Sequence, residues 1–124
     1  MTGHLEIFQT PKIDENRLKG LLKKYDESHF LISDGIIIDF RDWNYNIRIQ
    51  RILTVYQLKR ILVEGDDKPF IISATSEIVN SWPMRDMISL GEIMKIKSYY
   101  RDCDIYFNLI GSYNFYNFII GSVK

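Results

Sequence analysis

A chain of 124 residues that is 46% hydrophobic and 26% charged has the length and apolar content of one ordinary globular domain with a sizeable core. Its sixteen basic and sixteen acidic residues cancel, which disfavours nucleic-acid binding, because displacing counterions from phosphates calls for a surplus of Lys and Arg. The lone cysteine, Cys103, excludes an intrachain disulfide and a cysteine-built zinc site and suits a reducing compartment.

Residues 5 to 9, LEIFQ, read as a short strand that Pro11 interrupts, since proline donates no ladder bond and restricts its predecessor. Asp14 is the expected N-cap of a helix to about residue 26, with Leu18, Leu21, Leu22 and Tyr25 on one face. In HFLISDGIIIDF, residues 29 to 40, Asp34 and Gly35 join two apolar runs, which predicts a β-hairpin covered on both faces. Residues 43 to 50 alternate Trp43, Tyr45, Ile47 and Ile49 with Asn44, Asn46, Arg48 and Gln50, the period of a half-buried strand. Thr54 caps a predicted helix with Val55, Leu58, Ile61 and Leu62 inward, and Gly65 ends it.

KPFIISAT, residues 68 to 75, reads as a buried strand. Ser89 and Glu92 have capping-box spacing, so residues 89 to 100 are expected to be helical, although IMKIKSYY also fits a strand. The stretch IYFNLIGSYNFYNFIIG then predicts a second hairpin, about 104 to 110 and 113 to 120, turning at Gly111 and Ser112. The expected architecture is a single α+β domain over residues 1 to 124, in the order β-α-β-β-β-α-β-α-β-β. It has a mixed, mostly antiparallel sheet of about five to six strands packed with two to three helices.

No run reaches 18 apolar residues, and the N-terminus lacks a basic region followed by a long apolar run. The expectation is a cytoplasmic protein without a membrane span. Twenty isoleucines against one alanine, Ala74, suggest an AT-rich gene, of a kind that bacterial, phage or mobile-element origins would all produce.

Catalytic signals are sparse. His4 and His29 stand outside any motif, and they do not form a His pair at helical spacing, as a metal site on a helix would need. Asp39 with Asp42, Asp66 with Asp67, and Asp102 with Asp104 sit beside turns, where Asp caps local amides. Cys103 between Asp102 and Asp104 is disfavoured as a thiolate. The element order is similar to that of the acetyltransferase fold, but the junction expected to hold a glycine-rich phosphate turn is QRILTVYQ, residues 50 to 57, without glycine.

What stands out instead is aromatic and amide chemistry, with eight of 17 aromatics in residues 99 to 124, a composition suited to protein interfaces. The reading is a non-catalytic protein-binding domain without metal or cofactor, of the kind that inhibits or confers immunity to a bacterial toxin or nuclease by occlusion. Its expected contacts are Asn44, Asn46, Arg48, Gln50, Tyr106, Tyr113 and Tyr116. Alternatives are a nucleic-acid accessory protein using Arg48, Arg51, Lys59 and Arg60 with exposed aromatics, and a divergent acyltransferase-like fold. A homodimer through edge strands is a further expectation.

Overall fold

In the computed structural model, which describes residues 3–41, 43 and 46–111, the chain enters β1 (Leu5–Thr10) and breaks at Pro11. Helix α1 (Glu15–Lys23) starts where the Asp14 carboxylate accepts from the Arg17 amide at 3.1 Å, satisfying a donor that the first turn cannot. Leu18 and Leu22, one turn apart, form its buried stripe. Next comes β2 (Ser28–Ser33), then a crossover whose described residues, 34–41, 43 and 46, form no helix or strand, and β3 (Ile47–Ile52). Helix α2 (Val55–Glu64) is capped by the Thr54 hydroxyl and leads into β4 (Phe70–Thr75). The short α3 (Ser76–Asn80) and the long α4 (Met84–Arg101) follow, separated at Pro83. Asp102, in the left-handed region at φ 54°, turns the chain into β5 (Ile105–Ile110).

All five strands are parallel, in the order β1-β5-β4-β2-β3. This overturns the mostly antiparallel sheet read from sequence. The apolar runs Phe30 to Ile32, Phe70 to Ile72 and Ile105 to Phe107 are buried on both faces, the pattern of parallel strands with connections over both sides. Asp34 and Gly35 do turn, and Gly35 has φ +89°, but the chain beyond them does not pair back. Ile36 and Trp43 instead sink into the cluster formed by Leu18, Leu22, Phe30 and Ile71. Chain reversal is local, whereas strand pairing depends on where the following apolar side chains find cover, and here they find it over the sheet.

Among the described residues four helices are present, against the two or three expected. Residues 89 to 100 are helical, but Ser89 lies inside α4 and not at its start. The proposed second hairpin contributes β5, which pairs in parallel with β1 and β4. Its second arm, 113 to 120, lies outside the described residues.

The two cores follow from period-2 alternation. Phe30, Ile32, Ile71 and Tyr106 face α1 and the crossover, while Leu31, Phe70, Ile72, Ile105 and Phe107 face α2, α3 and α4. In the sheet order, β1→β2 and β2→β3 step one way and β3→β4 and β4→β5 step back. Right-handed crossovers therefore put the first pair of connections on one face and the second pair on the other.

Candidate functional site

Open parallel sheets bind ligands beyond the carboxyl ends of their strands, where adjacent connections leave to opposite faces. Here β2 and β4 are such neighbours. The polar groups between them serve the fold. Ser33 Oγ accepts from the Thr75 amide at 3.0 Å and donates to the Asp34 carbonyl, and the Thr54 and Thr75 hydroxyls cap α2 and α3. The loop entering α2 carries Ile52 and Leu53 and no glycine, so no backbone cradle for a phosphate forms there. Towards the other end of the sheet, Thr10 Oγ1 on β1 donates to Asn108 Oδ1 on β5 at 3.1 Å, while Asn108 Nδ2 and Ser73 Oγ on β4 are buried with no hydrogen-bond partner among the described residues.

The opposite edge is a belt of ion pairs. His29, stacked on Phe70, meets Asp66 at 2.7 Å, and Arg48 contacts both Asp66 and Glu27. Burial works to raise the Asp66 pKa, but the hydrogen bonds from His29 and the Lys68 amide prevail and bring it down to about 2. Lys97, only 3% exposed, reaches Asp67 and the Gly65 carbonyl from α4, and Arg101 shares Asp67. Tyr25 Oη donates to Asp104 at 2.8 Å and lies 2.9 Å from Tyr106 Oη. Burial, before either hydrogen bond, holds the Tyr25 phenol well above its ordinary range, so it remains a neutral donor. Burial likewise pushes the Cys103 thiol up to about 12, which leaves it un-ionised and a poor nucleophile. Among the described residues, no group of three His, Cys, Asp or Glu side chains converges as a metal site.

The residues singled out for partner contact separate. Asn46, Arg48 and Gln50 are exposed on and beside β3. That strand lies at one end of the sheet and, among the described residues, pairs with β2 alone. Tyr106 is 2% exposed and belongs to the α1-side core, its hydroxyl committed to Tyr25 and Lys24. It cannot present itself to a partner. Asn44, Tyr113 and Tyr116 lie outside the described residues. The basic group is dispersed and largely neutralised: Lys59 pairs with Asp86, Arg60 with Glu64, and Arg48 with Glu27, while Arg51 reaches the Ser33 carbonyl.

Sequence reasoning overlooked the outer face of α4. Ile88, Ile96, Tyr99 and Tyr100 stand exposed there, and Ile96 lines, with Leu62, Val63 and Ile93, a groove of about 230 Å³ between α2 and α4. The signal was present as apolar residues on every side of the helix, the mark of a helix with more than one packing surface. Among the described residues, no helix is long and apolar enough to cross a membrane. No protein-family model matches the chain, and no curated protein matches it.

Proposed function

We propose that this chain is a non-catalytic protein-binding domain whose partner docks along β3, with a toxin or nuclease as the class of partner it neutralises by occlusion. The carrying observation is the run Arg48, Ile49, Gln50 and Arg51, four consecutive exposed residues on a strand that the described chain pairs on one side only. A parallel end strand offers unpaired amides and carbonyls to an extended segment, which adds as a further strand while alternate side chains supply selectivity. Arg48 and Gln50 project to opposite faces from Ile49 and Arg51, so one bound segment would meet a guanidinium and an apolar contact together.

The charge pattern favours this over nucleic acid, because carboxylates already occupy three of the four cations in the basic group. The acyltransferase reading loses its footing with the element order on which it rested. The test is calorimetric titration of the purified chain with the products of the genes flanking its own, repeated with Ile49→Lys. Binding to a flanking toxin-like or nuclease-like product that falls at least about tenfold in the variant supports docking at this edge. Absence of binding to any flanking product, or equal binding by the variant, overturns it.

A further inference from the structure

Along α4, Arg85, Ile88, Glu92, Lys95 and Tyr99 recur at alternating intervals of three and four, the spacing of a coiled-coil seam, and Asp102 follows three residues on in the left-handed cap just past the helix. All six are exposed, whereas Met87, Leu90 and Met94, on the other side of the helix, fill the core of the monomer. The seam runs about 25 Å at 1.5 Å per residue. No ion pair among the described residues uses Glu92 or Lys95.

The order of charges along this seam is self-complementary. Two antiparallel copies related by a two-fold axis, with Glu92 facing the partner's Lys95, also place Ile88 against the partner's Tyr99 and Arg85 against the partner's Asp102. Two-fold symmetry repeats each contact. Every charged position then meets its opposite, and the apolar positions meet each other. Sliding by one heptad in either direction sets Glu92 against the partner's Asp102 or Arg85 against the partner's Lys95. Parallel, in-register pairing sets Glu92 against Glu92 and Lys95 against Lys95. Polar residues at seam positions specify register and orientation at some cost in stability, and an isologous interface requires one patch to complement itself.

We propose that the occupant of this face is a second copy of the chain, docked as an antiparallel α4–α4 pair crossing at roughly 20°. Exposed Ile96 and Val63 beside the seam extend its apolar area. The surface is at the small end for specific association, which makes the dimer concentration-dependent. It leaves β3 free, so it adds to the docking reading without depending on it.

The experiment is light scattering after size exclusion, over roughly 10 to 300 μM chain, on wild type, Glu92→Lys, Lys95→Glu and their equimolar mixture. Both positions are solvent-facing, and circular dichroism verifies that each variant folds. Wild type is expected to shift from monomer to dimer. Each single variant places like charges opposite one another twice, weakening dimerisation at least about tenfold. The mixture regains the dimer, because Glu92→Lys carries two lysines that face the two glutamates of Lys95→Glu, and the double variant dimerises as wild type does. A wild type that stays monomeric throughout overturns the proposal. So do single variants that dimerise undiminished, a mixture that fails to associate, or a dimer lost in Ile49→Lys instead, which would assign association to the β3 edge.

Discussion

Ile36 and Ile37 are adjacent in sequence and placed oppositely by the fold, which makes them a sensitive test of the crossover between β2 and β3. Ile36 is 4% exposed and packs in the α1-side core, while Ile37 is 88% exposed. Ile36→Ala deletes three buried carbons, which at about 0.8 kcal/mol each amounts to about 2.4 kcal/mol of transfer energy. A partly collapsed cavity brings the expected cost to about 2–4 kcal/mol. Ile37→Ala removes the same atoms from a site already in water and should cost less than about 0.5 kcal/mol. Urea denaturation followed by tryptophan fluorescence and circular dichroism measures both, with m-values expected to be unchanged. For a domain of this size Tm falls by roughly 8 to 15 °C in the first variant and by less than about 2 °C in the second. In a doubly covered hairpin the two side chains would be buried on opposite faces and cost similar amounts. Equal destabilisation would therefore refute the crossover, and with it the assignment of β3 as a parallel end strand.

Cys103 should resist aromatic disulfide reagents at pH 8 in the native state and react fully in denaturant, since burial holds its thiol near 12; rapid native labelling would show that the site opens. Asp66 has its pKa lowered from 3.8 to about 2 in the folded chain. Its contribution to stability is therefore present above pH 4 and is lost as pH falls from about 4 towards 2. Replacement by Asn should flatten that part of the stability profile, and an unchanged slope would contradict the role of the His29 and Lys68 contacts. Asp86 clamps α4 to α2 by accepting from Lys59 Nζ at 2.8 Å and Tyr56 Oη at 3.2 Å. Asp86→Ala should lower the midpoint of chemical denaturation, and Lys59→Met in that background should lower it little further, because the pair acts as a unit.

Much of the local structure was legible before the fold. Caps at Asp14 and Thr54, the stripes Leu18–Leu22 and Leu58–Leu62, the turn at Gly35 and the strand character of residues 70 to 75 and 105 to 110 all follow from interactions within a few residues. So did the exposure of Asn46, Arg48 and Gln50, but the half-buried alternation that predicted it also turned Ile49 inward, and Ile49 is exposed because β3 is an end strand. Strand direction was not legible in the same way. The doubly apolar runs pointed to a buried sheet, yet the turn at Asp34 and Gly35 is compatible with either a hairpin or the start of a crossover. Only the burial of Ile36 and Trp43 against α1 decides between them. Tyr106 carries an interface-type side chain, but its place on β5 opposite α1 turns it into a core residue with an internal hydrogen bond. The converse holds for α4, whose spacing of Arg85, Ile88, Glu92, Lys95, Tyr99 and Asp102 was always in the sequence. Which side of so apolar a helix remains in water depends on the position of α2 and the sheet. Periodicity and capping are short-range and belong to the sequence. Strand direction, exposed edges and the free face of a helix are set by where distant segments bury their apolar area, and the tertiary structure alone decided them.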